Sequence, residues 1–145
     1  MASTHTISHP TLNSTLTGLY VADGNIIQYR GIKYGTVPER FARPVPVTEY
    51  APQMDCTVFG PICPQNHNLG VEDFFFAIPK DQSIWSEVDK IPMCEFECLN
   101  LIVNVPKVRQ EGLLPVYINI HGGANMVGFA SDKTTGKYIT ADTPP

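Results

Sequence analysis

Apolar and polar residues alternate weakly from Leu12 to Tyr34, and Asp23-Gly24-Asn25 interrupts the alternation with a strong turn signal. The pattern predicts strands over roughly residues 15–21 and 26–34, joined as a hairpin. Asp-Gly supplies the positive φ angles that a tight primed turn needs. Residues 35–64 are proline-rich and aperiodic, which predicts an extended, irregular segment. Residues 72–78 are apolar and aromatic around Phe74-Phe75-Phe76, and a short helix is expected within residues 81–90, with Trp85 on its apolar side and Pro92 ending the segment. Such a phenylalanine run reads first as core or lid packing and second as the wall of a hydrophobic channel.

Leu-Asn-Leu-Ile-Val-Asn-Val at residues 99–105 predicts a strand stopped by Pro106. After a polar connection of hairpin length, residues 113–121 read Leu-Leu-Pro-Val-Tyr-Ile-Asn-Ile-His, a near-continuous apolar run that ends in Gly122-Gly123. A run of this kind is normally a strand buried on both faces at the centre of a largely parallel sheet, where helices cover both sides. Only 24 residues follow His121 (145 − 121), and they are rich in Thr, Asp, Gly and Pro. The expectation is therefore an exposed apolar patch and an open sheet edge, covered by a partner or by sequence not present in these 145 residues.

Composition narrows the class. With 43% hydrophobic and 17% charged residues, the chain belongs with globular sequences. Thirteen prolines and eleven glycines suit short strands, turns and long loops better than a helical protein. A net charge of −4, with Lys and Arg scattered singly, argues against nucleic acid or an anionic membrane surface as partner. No apolar run is long enough to span a bilayer. The start, Met1-Ala2-Ser3-Thr4-His5, shows no signal peptide, so a cytoplasmic location is expected.

Cys56, Cys63, Cys94 and Cys98 form two loose pairs with six and three intervening residues, and His67 is the only histidine nearby. Structural metal sites use tighter spacings with well-placed histidines, so neither a metal nor another cofactor is expected.

The strongest chemical signal is His121-Gly122-Gly123-Ala124 directly after the predicted buried strand. Glycines at a strand end let the backbone turn sharply and come close to a ligand. Acyl transfer needs fixed backbone N–H donors for the oxyanion of its tetrahedral intermediate, and a strand ending in His-Gly-Gly-small is one way to supply them.

Four further motifs share the chain with it in order: Tyr29-Arg30-Gly31-Ile32-Lys33-Tyr34, Arg40-Phe41-Ala42-Arg43-Pro44, Cys63-Pro64-Gln65 and Glu97-Cys98-Leu99-Asn100-Leu101. With Leu114-Pro115-Val116-Tyr117-Ile118-Asn119-Ile120-His121-Gly122-Gly123, this series resembles the type B carboxylesterases over nearly the whole chain. The resemblance implies an α/β class and the N-terminal portion of an α/β-hydrolase fold: mostly strands and long loops, with an incomplete central sheet. Residues 1–145 would then be one partial domain made of an N-terminal hairpin, a gorge-rim loop and the oxyanion-loop strand.

The implied activity is hydrolysis of a small-molecule carboxylic ester by a serine–histidine–acid triad. By position, the N–H groups of Gly123 and Ala124 would be oxyanion donors, with Gly122 permitting the turn. Cys63 and Cys98 match the family's first disulfide, which here would close a loop of about 36 residues and contribute roughly 4 kcal/mol. Such a bond conflicts with a cytoplasmic location. Phe74, Phe75, Phe76 and Trp85 fall inside that loop and would line the gorge rim. Arg40 matches an arginine that forms a buried ion pair with an acidic residue just before the second cysteine.

Several positions depart from the family pattern. Ala124 replaces the third glycine, keeping its N–H but adding a methyl group. Phe96 replaces the acidic residue, so Arg40 must pair with Glu95 or Glu97 or stay unpaired. Cys56 and Cys94 are additional and leave the disulfide pairing open. No Gly-x-Ser-x-Gly occurs in the 145 residues, and the family's nucleophile, acid and histidine would all lie beyond them. His121 is expected to pack beneath the loop rather than act as a base, and His5, His9 and His67 are expected in solvated loops.

Three functions remain open on this reading. The chain is part of a longer esterase, or one half of a hydrolase completed by a complementary chain, or a stand-alone binding module that uses the aromatic loop. In none of them do these residues alone hydrolyse esters at enzyme-like rates.

Overall fold

The computed structural model describes residues 3–65, 91–108, 111–123 and 128–130. The aromatic run Phe74–Phe76, the helix expected within residues 81–90, Trp85, His67 and Ala124 lie outside them.

The predicted hairpin forms, as β2 (Ser14–Val21) and β3 (Ile26–Lys33). They pair antiparallel with Leu19 opposite Gln28 and Val21 opposite Ile26. The turn sits one residue earlier than Asp-Gly alone suggests. Ala22 and Asp23 take positive φ angles of 51° and 55°, and Gly24 follows at 83°. Gly24 N–H donates to Val21 O at 3.1 Å, and Asn25 N–H to Ala22 O at 3.0 Å.

A strand not read from the sequence, β1 (Thr4–His9), adds to the free edge of β2, placing Ile7 opposite Leu16 and His5 opposite Gly18. His5 and His9 are therefore strand residues rather than loop residues. His5 Nδ1 hydrogen-bonds the Tyr29 hydroxyl at 2.8 Å, and His9 Nδ1 accepts from Leu12 N–H at 3.3 Å. The latter caps a short 3₁₀ turn, Pro10–Leu12.

Within the otherwise irregular 35–64 region, three short strands appear: β4 (Gly35–Thr36), β5 (Val45–Pro46) and β6 (Gln53–Asp55). β4 and β5 pair with each other. β6 runs parallel to β2 along Thr15–Thr17, on a stretch that β3 leaves uncovered. Cys56 N–H then donates to Thr17 O at 2.8 Å while Cys56 O accepts from Arg30 N–H at 2.9 Å, so this segment wedges between the two hairpin strands.

The expected strand after residue 99 is β7 (Asn100–Pro106), antiparallel to β3. Its register shifts by one between Tyr29 and Ile32, a β-bulge at Arg30-Gly31. Gly31 takes φ 64°, and a Cβ there would lie 3.1 Å from Gly60 N and 3.2 Å from Val58 O. Glycine in this motif thus answers a backbone need. The bulge lets β3 bend so that Arg30 and Ile32 serve two different neighbours.

Alternation decides the core. Leu16, Ile27, Tyr29, Ile32 and Cys56 are buried together, with Ile7, Leu12, Tyr20, Tyr50, Met54 and Val105 against them. The Tyr29 ring crosses over Gly18 to reach His5, which ties three strands. A Cβ at Gly18 would stand 2.7 Å from Gln28 O and 2.8 Å from the Tyr29 ring. Gly18→Ala is therefore expected to destabilise the sheet by about 1–3 kcal/mol through overpacking. Urea unfolding of the two chains measures this, and an unchanged midpoint would contradict the tight crossing.

The apolar run at residues 113–121 departs from expectation. It belongs to neither sheet, and Val116, Ile118 and Ile120 are 84%, 78% and 88% exposed. The buried central strand read from the sequence is not formed here. A strand buried on both faces requires neighbours and covering layers, and none of the described residues provides them. The exposed apolar patch anticipated from the same run is present.

Candidate functional site

The apolar run delivers the chain to His121-Gly122-Gly123. His121 is exposed, with its ring against Gly128, and its Nδ1–H donates to Gly122 O at 2.8 Å. A carbonyl only accepts, so this contact fixes the proton on Nδ1. Gly123 is half-buried with φ 125°, a conformation that residues with a Cβ rarely adopt. Further along, Gly128 is buried, has φ 112°, and packs directly on Gly122 O and the His121 ring. The chain thus leaves at Gly123 and returns against Gly122. Ala124 lies outside the described residues.

Two contacts hold the return. Gln65, from the Cys-Pro-Gln motif, takes the Gly128 N–H on its Oε1 at 2.9 Å and donates Nε2–H to Gly128 O at 3.2 Å. Phe129 is buried with Ile62 against Ile91 and Met93, forming a second small core. Neither contact was legible in the sequence. Gln65 and Gly128 are 63 positions apart, and no spacing rule links a side-chain amide to a distant backbone group.

The cysteine motifs meet beneath this core. Ile62 and Met93 form a parallel bridge, with Ile62 N–H donating to Pro92 O at 2.9 Å and Cys94 N–H to Ile62 O at 3.0 Å. All four cysteines carry free thiols in this structure. The Cys98 thiol is pushed up from its ordinary value, first by burial, then by the neighbouring Cys63, which is also in hydrogen-bond contact with it, and by Cys94. Asn100 Nδ2–H donates to Pro61 O at 2.8 Å, fastening the start of β7 to the same segment.

Arg40 pairs with Glu95, its Nε donating to Oε2 at 3.0 Å and its Nη2 to Oε1 at 3.1 Å. Glu97 instead pairs with Lys33. The Arg40–Glu95 pair is not buried as the resemblance implied, because the Arg40 side chain is 68% exposed. Its contribution is accordingly small, about 0–1 kcal/mol. Beside it lies an open cavity of about 340 Å³ lined by Val37, Arg40, Phe41, Glu95 and Phe96. None of the motif glycines is among its lining residues.

Comparison with known proteins decides the family. The profile of the carboxylesterase family matches residues 6–143. The chain belongs to the carboxylesterase family. It is 34% identical over 122 residues to Lipase 3 of Yarrowia lipolytica, covering 82% of this chain and 24% of that lipase. Lipase 1 of the same yeast is 32% identical over 136 residues, covering 92% and 25%. Among solved structures, a thermophilic PNB esterase superposes with a TM-score of 0.62 at 25% identity, covering 90% of this chain and 24% of that one.

The fold is therefore the N-terminal part of an α/β-hydrolase, mostly strands with a partial sheet, as the motifs implied. This carboxylesterase-family chain spans about a quarter of the length of the relatives it matches.

Proposed function

We propose that residues 121–124 form the oxyanion-hole segment of a serine carboxylic-ester hydrolase. In this reading the N–H groups of Gly123 and Ala124 donate to the oxyanion of the tetrahedral intermediate, and the turn expected at Gly122 is made instead at Gly123, since Gly122 has no positive φ and open space where a Cβ would stand. The single observation that carries it is the Gly122–Gly123 pair at the end of the apolar run, with Gly123 at φ 125° and the returning chain packed on Gly122. A donor held as Gly123 is requires no reorganisation as charge develops on the oxygen, which is where such groups contribute most to rate.

The substrate is a small-molecule carboxylic ester. The attacking serine, the base and its acid come from sequence beyond these 145 residues, since no Gly-x-Ser-x-Gly occurs within them. They reside on the same polypeptide or on a complementary chain. The exposure of Val116, Ile118 and Ile120 favours either arrangement over a stand-alone binding module, because both supply the missing cover. Cys63 and Cys98 pair as a disulfide under oxidising conditions, and Phe74, Phe75, Phe76 and Trp85 line the rim of the substrate gorge.

Hydrolysis of p-nitrophenyl butyrate tests the proposal. Protein purified from its source by antibodies to this sequence is expected to turn the ester over and to lose that activity with a fluorophosphonate. The recombinant 145-residue chain is expected to give only background. No fluorophosphonate-sensitive turnover in the native protein would overturn the reading.

A further inference from the structure

Gln65 makes a contact that its place in the sequence does not explain. Its side-chain amide meets the Gly128 backbone as one strand meets another, accepting the N–H at 2.9 Å and donating to the carbonyl at 3.2 Å. The same Nε2 donates to Cys63 O at 3.2 Å, which holds the side chain in the conformation that reaches Gly128. A planar amide carries donor and acceptor side by side, and only Gln and Asn have one in the side chain. Gly128 in turn has no room for a side chain. A Cβ there would lie 2.6 Å from His121 Nδ1 and against Gly122 O. A chain of contacts therefore runs from Gln65 through Gly128 to the Gly122 peptide, and Phe129 plugged beside Ile62 holds the far side.

We infer that Gln65 is a positioning residue for the oxyanion donors, clamping the return of their loop so that the 122–123 backbone keeps its angle. This rests on the oxyanion reading above. The Gln65 side chain contacts the backbone of Cys63 and Gly128, so it acts through Gly128. Backbone donors lose effect steeply when displaced, and a shift of about 1 Å is enough to slow catalysis by roughly 10²-fold. Loss of the clamp should therefore appear in the chemical step more than in ground-state binding.

The test uses the native-length hydrolase and its Gln65→Ala and Gln65→Glu variants, with p-nitrophenyl butyrate as substrate and an alkyl trifluoromethyl ketone as oxyanion-forming inhibitor. Both variants are expected to lower kcat by about 10–100-fold with KM little changed. Affinity for the ketone should fall in parallel with kcat/KM, because its adduct carries the same oxyanion. Gln65→Glu adds a signature that a general packing defect lacks. Its ionised carboxylate faces the Gly128 carbonyl without a proton, whereas the protonated acid restores donor and acceptor. The ratio of variant to wild-type kcat should therefore rise as pH falls towards the carboxyl range, around 4–5.

Variants that fold, by urea unfolding, and keep wild-type kcat and ketone affinity would overturn the inference. So would a Gln65→Glu ratio that is flat with pH. A wild-type enzyme that neither hydrolyses the ester nor binds the ketone would instead sink the oxyanion reading itself, so the two failures are distinct. If Gln65→Ala does not fold, the Gln65→Glu pH profile decides alone.

Discussion

Gly123→Ala in the catalytically complete hydrolase is expected to lower kcat for a short p-nitrophenyl ester by on the order of 10²-fold, with a much smaller change in KM. The substitution removes no hydrogen-bond donor. It adds a Cβ to a residue at φ 125°, so the backbone must relax towards negative φ and rotate its N–H away from the oxyanion position. A displaced donor acts on the charged intermediate and barely on the neutral ester, which places the loss in kcat. Gly112→Ala is the control for strain alone. Gly112 also has positive φ, 104°, and nothing lies within 4 Å of the position its Cβ would take. Gly112→Ala is expected to leave kcat unchanged. Equal loss in the two variants would mean that the rate effect is general destabilisation.

The second large effect has opposite signs in two contexts. Ile118→Lys with Ile120→Lys is expected to raise the soluble fraction of the isolated 145-residue chain, because both side chains are exposed there, at 78% and 88%, within an apolar run. In the complete hydrolase the same pair is expected to abolish the folded enzyme. Burial of two isoleucines contributes about 3–6 kcal/mol, and two unpaired buried charges add a further penalty. That sum approaches the whole stability of a typical domain, about 5–15 kcal/mol. Soluble yield and light scattering read the first arm, and yield of active enzyme reads the second. A complete hydrolase that tolerates both lysines would contradict the view that this exposed run becomes a buried strand once covered.

The hairpin was legible because alternation and a turn signal agreed. Its turn shifted by one residue because Ala22, which propensity alone disfavours there, accepts positive φ when both strands hold their register. β1 was missed because Thr-His-Thr-Ile-Ser-His offers a single large apolar residue, so edge pairing, not burial, makes it a strand. The run at 113–121 is apolar and in need of cover, as its sequence indicates, but it forms no strand here, since a place in a sheet depends on neighbours that the run itself does not specify. Arg40 found its partner among the two expected candidates, but not the burial, because burial of a pair depends on what surrounds it. Of the candidate site, the glycines were legible as a motif. The Gln65 clamp was not, because a side-chain-to-backbone contact across 63 residues leaves no periodic trace.

The oxyanion assignment is tested most directly by a crystal structure of the hydrolase carrying this segment with its nucleophile phosphonylated. The phosphoryl oxygen then stands where the oxyanion forms. The account predicts that it lies roughly 2.7–3.1 Å from the backbone nitrogens of Gly123 and Ala124. An oxygen held by other donors, with both of these nitrogens out of hydrogen-bond reach, would contradict it.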